Sequence, residues 1–313
     1  MDSTKRRYIC QKYGLDKASE FQLQHQGENM TYLIKDSEQM CSLRQYRINR
    51  YSLQEIQAEV AWLLAFNCDF YVPKVIQNRD GDWVTSLVDQ EGELTFFVMS
   101  EFIEGKSISG ENKRDYQKLG RLMRKLHIVS DHILQRESVD WKGMERPVYH
   151  EKTMICEPLD RLQNASFLRL EDGKKIRDIA EKLQKLLKKY KMEKKRFVHG
   201  DLHLGNIVDS PRGWYCLDFD ESGFGHEAFD IGVPRIHLLA SDQLDNLWPS
   251  FLEGYQFPLS EEILRLGTAL RLFYMAGKIP LRLDIPDIQH DPQKKIRRYL
   301  HLIELELSGV NCV

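Results

Sequence analysis

The sequence predicts an α+β protein with two lobes, a small β-rich N-terminal lobe and a larger helical C-terminal lobe. The chain has 313 residues, of which 42% are hydrophobic, and a domain usually holds about 100 to 200 residues. Two modest cores are therefore favoured over a single one. Short segments with strand-like alternation dominate the first hundred residues, and long segments with helical spacing follow. We place the two lobes at residues 1–103 and 104–313.

Charge and composition argue against several classes of partner. The chain carries 45 basic and 47 acidic residues, so no overall field attracts nucleic acid or an anionic membrane, and we expect neither as a partner. No apolar run approaches the roughly 20 residues that span a bilayer. Six cysteines are scattered without a C-x-x-C pair, and the start MDSTKRRYIC is charged where a secretory signal would be apolar. These features favour reduced thiols and a cytoplasmic location.

The N-terminal lobe shows its strand pattern first at GENMTYLIK, where Met30, Tyr32 and Ile34 recur at every second position. Gly27 is expected in the turn before this strand. After a polar turn, CSLRQYR predicts a second short strand.

One helix interrupts these strands. The segment SLQEIQAEVAWLLAF places Ile56, Val60, Leu63 and Leu64 on one helical stripe. Residues 75–88, broken by the turn NRDGD, predict a hairpin. The apolar segment LTFFVMSEF then closes the lobe as a strand.

Long amphipathic helices characterise the C-terminal lobe. KRDYQKLGRLMRKLH carries Tyr116, Leu119, Met123 and Leu126 at helical spacing. His127 lies beside this apolar face, which favours a hydrogen-bonded core histidine over a catalytic one. KKIRDIAEKLQKLLKKY predicts another helix, whose lysines fall opposite its apolar stripe and are expected to face solvent.

The segment FVHGDLHLGNIV concentrates polar groups between two apolar pairs. On a continuous strand, His199, Asp201 and His203 would face one side and could bind a metal. Gly200 argues against a continuous strand, and a zinc site leaves Asn206 without a role. A plain polar turn is a further interpretation, but it does not explain the aspartates of LDFD, which interrupt an otherwise apolar strand.

The sequence after this segment favours phosphoryl transfer. NIVDSPRGWYCLDFD predicts a hairpin, and pairing about Pro211 brings Asn206 opposite Leu217 and Asp218. An amide oxygen and a carboxylate are hard ligands that suit Mg²⁺, which usually shares its other positions with waters and substrate phosphates. Asp201, five residues before Asn206, is then available to deprotonate a hydroxyl nucleophile.

The strings HGDLHLGN, LDFD and GHEAFDIG together resemble the aminoglycoside phosphotransferase and choline kinase group, whose fold is similar to that of protein kinases. The resemblance implies a two-lobed protein-kinase-like fold, with ATP and Mg²⁺ as cofactors. It assigns Asp201 as the catalytic base and Asn206 and Asp218 as the Mg²⁺ ligands. It also implies that Asp230, in FDIG, braces the catalytic loop.

The same resemblance assigns the N-terminal lobe to nucleotide binding. CSLRQYR matches the strand that carries the phosphate-binding cation, here Arg44 in place of a lysine. Glu59, on the helix IQAEVAWLL, is its expected ion-pair partner; an exposed Arg44 with a solvated Glu59 is the alternative. In TFFVMSEFIEG, the backbone of Glu101 and Ile103 is expected to meet the adenine, with Met99 at its inner edge.

A short connecting segment favours a small hydroxylated acceptor over a protein. Only ESGFGHEA separates the acidic segment from the next helix, which is too short for a peptide-docking activation segment. The fold itself does not name the acceptor. A protein Ser/Thr kinase on the same scaffold and a catalytically inactive nucleotide-binding protein are the alternatives.

Local charges further predict a neutral or cationic acceptor over an anionic one, and a hydroxylated compound that bears an amine is one such acceptor. Near Asp201 the sequence adds three acidic residues and two offsetting residues, namely Asp220, Glu221 and Glu227 against His226 and the distant Arg235. Residues 272–275 form a helical wall that either closes the acceptor side or simply packs in the core.

Overall fold

The computed structural model describes residues 1–37, 39–66, 70–136, 144–192, 195–256 and 258–310. The chain forms two compact units. The first consists of Met1–Ser107, Ile133–Arg146 and Ile207–Leu217, and the second consists of Ile108–His132, Pro147–Asn206 and Asp218–Val313. Strands dominate the first unit and helices the second, as the sequence predicts. The assignment of residues 1–103 to nucleotide binding and of 104–313 to catalysis stays a prediction.

The first unit is built on an antiparallel sheet with two helices. Its elements are α1 (Ser3–Tyr13), β1 (Glu20–Gln26), β2 (Met30–Lys35), β3 (Met40–Gln45), α2 (Leu53–Phe66), β4 (Val75–Ile76), β5 (Thr85–Val88), β6 (Leu94–Glu101) and β7 (Lys106–Ser107). The sheet order is β1-β2-β3-β6-β4, and β5 also pairs with β6. The strands predicted from GENMTYLIK, CSLRQYR and LTFFVMSEF are β2, β3 and β6.

Helix α1 was not expected, because the sequence indicated one helix in this part of the chain. Asp2 caps its N-terminus by accepting a hydrogen bond from the Lys5 amide (2.8 Å), and Gly14 ends it with φ 72°. Only Ile9 and Cys10 of the helix are buried. Two apolar positions in a charged segment are too few to produce a recognisable helical stripe.

The hairpin predicted for residues 75–88 is wrong. β4 pairs with Met99 and Ser100 of β6, while β5 pairs with the earlier residues of the same strand. The predicted turn exists and is held by Asn78, whose side-chain oxygen accepts hydrogen bonds from the amides of Asp80 and Asp82. The eight-residue β6 is long enough to take both short strands end to end, so the turn connects them without pairing them.

Helix α2 is present, but its buried face differs from the predicted stripe. Ile56 and Val60 are buried, whereas Leu64 is exposed. Trp62 and Phe66 take its place in the core.

The second unit is mainly helical. Its helices are α3 (Lys113–Leu134), α4 (Glu157–Gln163), α5 (Leu170–Lys189), α6 (Glu227–Ala240), α7 (Leu244–Tyr255), α8 (Glu261–Lys278), α9 (Pro286–Gln289) and α10 (Pro292–Ser308). A π-helical turn, Lys152–Cys156, precedes α4, and 3₁₀ turns cover Leu204–Asn206 and Ile279–Leu281. The short strand β8 (Arg196–Val198) pairs with β11 (Gly223–Gly225).

Helix α8 lies at the centre of the second unit, packed against α4, α6 and α10. It approaches α6 so closely that a Cβ atom on Gly267 would lie 2.3 Å from the carbonyl oxygen of Ala228. A side chain at Gly232 on α6 would likewise meet Thr268. These two glycines therefore let the backbones of α6 and α8 pack together, which fixes the side chains of α8 relative to the start of α6.

Both amphipathic helices predicted for the C-terminal lobe are confirmed. The predicted stripe of α3 is buried, namely Tyr116, Leu119, Met123 and Leu126. On α5, Ile176, Ile179 and Leu183 face the core, and the lysines are exposed or half-buried. Within the described residues, no helix combines the length and apolar composition needed to cross a membrane.

The hairpin predicted after the polar segment is also confirmed, and it belongs to the first unit. β9 (Ile207–Ser210) pairs with β10 (Gly213–Cys216), with Ile207 opposite Cys216. β7 adds a third strand beside β9.

Candidate active site

The loop between β8 and the 3₁₀ turn is braced by a buried aspartate, Asp230, in the first turn of α6. Its carboxylate accepts hydrogen bonds from the amides of His199 (3.0 Å) and Gly200 (2.8 Å). His127 Nε2 lies 2.9 Å from the same carboxylate, and His127 Nδ1 lies 2.8 Å from the Tyr255 hydroxyl. Burial raises the pKa of Asp230, but these hydrogen bonds and the nearby imidazoles outweigh it and lower the pKa. His127 is thus the hydrogen-bonded core histidine that the sequence indicated.

Removing this brace has a large expected cost in stability. Asp230→Ala leaves two amides and a histidine of the interior without their acceptor, and we expect the free energy of unfolding to fall by about 3 to 5 kcal/mol. Denaturant unfolding measures the change. Asp245→Ala, at an exposed site on α7, is the control and is expected to change it by less than about 0.5 kcal/mol. Equal stabilities of the two variants would contradict the bracing role.

Glycine is required in the same loop. Gly200 has φ 80°, and a Cβ atom there would lie 2.2 Å from the carbonyl oxygen of Glu221. The loop therefore passes directly over the segment that follows β10, which explains the glycine in the HGD string.

Asp201 and Asn206 are brought together by this loop. The Asn206 side-chain amide donates to the Asp201 carbonyl oxygen (2.9 Å) and to its carboxylate Oδ2 (3.3 Å). The other carboxylate oxygen accepts a hydrogen bond from Arg271 Nη2 on α8 (3.2 Å). Because the nitrogen of the Asn206 amide is turned toward Asp201, its carbonyl oxygen is the end available as a hard ligand.

The zinc interpretation of His199, Asp201 and His203 is wrong. His199 is fully buried and its Nδ1 accepts a hydrogen bond from the Asp201 amide (3.3 Å), whereas the His203 ring stacks on His237 with centroids 4.2 Å apart. The side chains do not share one face, because the backbone turns at Gly200. In the part of the chain that the structure describes, no group of three or more His, Cys, Asp or Glu residues could hold a metal ion.

Asp218 lies after a strand rather than within one. β10 ends at Cys216, so the expectation that Asp218 and Asp220 interrupt a strand is wrong. Asp218 adopts φ 64°, a left-handed conformation that aspartate tolerates better than most residues but that still costs free energy. The amide oxygen of Asn206 and the carboxylate of Asp218 are both of the kind that suits Mg²⁺, which takes its remaining positions on water and phosphate; their role as its ligands stays a prediction.

The charges near Asp201 differ from the predicted acidic surroundings. Glu221 is surrounded by cations: Lys278 forms an ion pair with it, Arg282 Nη2 lies at 3.5 Å and Arg271 Nη1 at 3.9 Å. The Tyr274 hydroxyl also donates to it (3.0 Å). Burial raises the pKa of Glu221, but Lys278, Arg271 and Arg282 more than offset it, and the pKa falls far below its usual range.

Glu227, a second acidic residue of the predicted set, is paired as well. Glu227 is buried with Arg196 Nη1 at 3.8 Å, and Arg235 pairs with Glu306 (2.9 Å) instead of offsetting charge near Asp201. The prediction of acidic surroundings is therefore wrong, because Arg271, Lys278 and Arg282, on α8 and just after it, lie far along the chain and compensate the charge of Glu221.

A sequence signal for the missed cations does exist. Arg271, Tyr274 and Lys278 follow one another at spacings of three and four residues, so their side chains lie on one face of α8. The predicted wall at residues 272–275 is mostly core, since Leu272 and Phe273 are fully buried.

A cavity of about 710 Å³ lies in the second unit, beside the loop that carries Asp201. His203 lines this cavity, and its Nε2 lies 3.9 Å from Asp201 Oδ2. The buried part of the wall is apolar and comprises Tyr116, Leu119, Leu204, Pro234 and Leu247, and the rim is polar and comprises Ser109, Glu111, His237, Ser241 and Gln243. Glu111 is the one carboxylate among the described residues of the lining.

The residues predicted to bind the nucleotide all belong to the first unit. Arg44 Nη1 lies 3.2 Å from Glu59 Oε1, so the predicted ion pair is present, and Glu59 is buried. Met99 is buried, and the Glu101 amide already donates to the Lys74 carbonyl oxygen (2.9 Å). Ile103 is half-buried just beyond β6. Their roles toward a nucleotide stay predictions.

Known proteins provide an independent comparison. A sequence model described as the phosphotransferase enzyme family, APH, matches residues 22–265. A search among curated proteins found no match.

Solved structures share the fold. A microcompartment-associated aminopropanol kinase is 24% identical, with a TM-score of 0.83 and 100% of both chains covered. The amicoumacin kinase hAmiN, solved with AMP-PNP, Ca²⁺ and Ami, is 17% identical, with a TM-score of 0.79 and coverage of 99% of this chain and 96% of that chain. The choline kinase LicA from Streptococcus pneumoniae is 17% identical, with a TM-score of 0.65 and coverage of 91% and 93%. The predicted fold class is confirmed by these likenesses.

Proposed function

Because this chain belongs to the phosphotransferase enzyme family, we propose that it transfers the γ-phosphoryl group of ATP, with Mg²⁺, to a hydroxyl group of a small, amine-bearing molecule. Family membership confirms the resemblance and the enzyme class that the sequence predicts. The observation that supports the proposed reaction is the hydrogen-bonded pair of Asp201 and Asn206, which lies in a loop braced by Asp230.

Asp201 is the proposed catalytic base. Its carboxylate is held by Asn206 and Arg271 and is about one-third exposed, with a relative side-chain accessibility of 35%. It can therefore orient an acceptor hydroxyl and take its proton as the oxygen bonds to the γ-phosphorus and the bond between that phosphorus and ADP breaks. Asn206 and Asp218 would hold Mg²⁺, which when bound neutralises charge on the phosphates.

Arg44 is proposed to contact the phosphates of ATP. Its pairing with the buried Glu59 holds the guanidinium on β3, and a second arginine, Arg146, lies 3.9 Å from Glu59. The amicoumacin kinase, a neighbour in fold, was solved with AMP-PNP, which supports an adenine nucleotide as the donor. The backbone of Glu101 and Ile103, with Met99, is proposed to meet the adenine.

The cavity beside His203 is proposed to take the acceptor. Its volume of about 710 Å³ falls within the range typical of small-molecule sites, about 300 to 1,000 Å³. An apolar wall with a polar rim suits a compound that has both hydroxyl groups and a carbon skeleton. Glu111 supplies a negative charge for an ammonium group, and the names of two fold neighbours, the aminopropanol and choline kinases, agree with an amine.

A transfer assay tests the proposed function. Purified protein with ATP and Mg²⁺ is offered amino alcohols, aminoglycosides, other amine-bearing hydroxylated compounds, anionic sugars and a generic protein. We expect labelled phosphate on one or more amine-bearing compounds. Labelling of anionic sugars alone would overturn the acceptor class, labelling of protein alone would favour a protein kinase, and no transfer at all would favour an inactive nucleotide-binding protein.

Cavity variants then test where the acceptor binds. Ser241→Trp fills the rim of the cavity and is expected to raise the KM of the acceptor at least about 10-fold while the affinity for ATP is kept, because a pocket filled by a large side chain excludes the ligand. Asn246→Trp, at an exposed position on α7 outside the lining, is the matched control. An acceptor KM unchanged in Ser241→Trp would show that the acceptor binds elsewhere.

Glu111→Gln should raise the KM of amine acceptors by up to about fivefold, because an exposed ion pair contributes a free energy of this size.

A further inference from the structure

Arg271 is a buried cation in direct contact with the proposed base. It lies on α8 with 3% of its surface exposed, and its guanidinium carbon lies 5.3 Å from the ring centroids of both Phe229 and Tyr274. Nη2 donates to Asp201 Oδ1 at 3.2 Å, and Nη1 lies 3.9 Å from Glu221 Oε2. Burial lowers the pKa of Arg271, but the two carboxylates more than offset this and raise it, so the side chain stays charged.

The hydrogen bonding of Arg271 is incomplete for a buried arginine. Its Nε and Nη1 atoms are buried without a hydrogen-bond partner among the described residues, which costs free energy. Arg235, equally buried in the same unit, leaves one described nitrogen, Nη1, without such a partner, and it bonds Glu306 through Nε and Glu261 through Nη2. Two aromatic rings and two carboxylates therefore hold Arg271 where it reaches Asp201. In this position, two of its nitrogens lack a hydrogen-bond partner among the described residues.

Two separate elements fix the carboxylate of Asp201. Asn206, within the loop itself, holds Oδ2, and Arg271, from α8, holds Oδ1. The last torsion of an aspartate side chain has a broad energy minimum, so a single hydrogen bond leaves the carboxylate free to rotate. Each oxygen keeps a second lone pair with which it can accept a bond from an acceptor hydroxyl.

We propose that Arg271 is a positioning residue that holds the Asp201 carboxylate in the orientation in which it takes the proton of the acceptor hydroxyl. Glu221, with Phe229 and Tyr274, keeps Arg271 in place. The proposal rests on the proposed function, and it adds a specific task for a residue that lies 70 positions from Asp201 in the chain.

Kinetics of matched arginine variants provide the first test. Arg271→Met is expected to lower kcat about 10²-fold, because a misplaced catalytic group loses rate on this scale, while the KM values of ATP and acceptor change by less than about twofold, since binding is not the task of Arg271. Arg271→Lys should recover part of the loss, because an ammonium group can still reach one carboxylate. Arg235→Met removes an equally buried arginine and should leave kcat unchanged. A loss of kcat equal in Arg271→Met and Arg235→Met would reduce the effect to general destabilisation and overturn the proposal.

A double-mutant cycle asks whether Arg271 acts through Asp201. In the Asp201→Asn background, Arg271→Met should cause no further loss of kcat, because the group that it positions is already disabled. If the same factor is lost in both backgrounds, Arg271 acts independently of the base and the proposal fails.

Crystal structures of the variants separate this proposal from the proposed function. In Arg271→Met the Asp201 carboxylate is expected to rotate or to become disordered, and in Arg235→Met to keep its position. An unchanged carboxylate in Arg271→Met overturns the positioning role whether or not the protein transfers phosphate. If the carboxylate is displaced in Arg271→Met but the wild-type protein transfers no phosphate, the positioning geometry is supported and the proposed function is refuted.

Discussion

Asp201→Ala is expected to lower phosphoryl transfer by about 10² to 10⁴, the usual range for a lost general base, and to leave ATP binding nearly intact. The carboxylate makes its hydrogen bonds with Asn206 and Arg271, and the residues predicted to contact ATP belong to the first unit. Its removal should therefore affect the chemical step more than nucleotide affinity. Steady-state transfer and calorimetric ATP binding measure the two effects separately.

Two further variants control for structural damage at Asp201. Asp201→Asn keeps the size of the side chain and a carbonyl oxygen for Arg271, so its loss of activity reports on the base itself. Asp178→Asn, at an exposed site on α5 of the same unit, should behave as wild type. Undiminished turnover in Asp201→Asn would end the assignment of Asp201 as the base.

Asp218→Asn is expected to weaken Mg·ATP binding and to lower transfer by about 10³-fold together, because a bound metal supplies several kcal/mol of transition-state stabilisation. Asparagine is the informative replacement, since the backbone at this position has φ 64° and asparagine tolerates that conformation. Alanine would add backbone strain to the loss of the ligand.

The metal dependence of binding distinguishes the role of Asp218 from a loss of folding. Binding of ATP without Mg²⁺ should be no weaker in Asp218→Asn than in wild type, whereas the gain on adding Mg²⁺ should be much smaller in Asp218→Asn, because an amide oxygen is a neutral ligand. If Asp218→Asn gains affinity with Mg²⁺ as wild type does, Asp218 is not a metal ligand. Metal analysis of the purified protein adds a check: we expect no bound zinc, and zinc that is lost on changing His203 would contradict the geometry described for these histidines.

Local patterns were enough to predict much of the fold. The helices α3 and α5 and the hairpin β9–β10 are each encoded within one continuous segment, so apolar periodicity and turn residues identify them. The prediction failed for β4 and β5, which pair with β6 rather than with each other. Strand pairing is a choice among partners distant in sequence, and short strands carry little information about that choice.

The sequence by itself determined the contact between Asp201 and Asn206 and the hairpin that follows it, because these residues lie in a nearly continuous string whose local geometry follows from a turn and a pairing register. Only the tertiary structure decided the charge around the base. Arg271 reaches Asp201 across 70 positions of the chain, and this contact depends on the close approach of α6 and α8 at Gly232 and Gly267. Electrostatic interactions depend on distance in space rather than on separation in sequence, so a sum of charges along the chain predicted acidic surroundings where packing placed three cations.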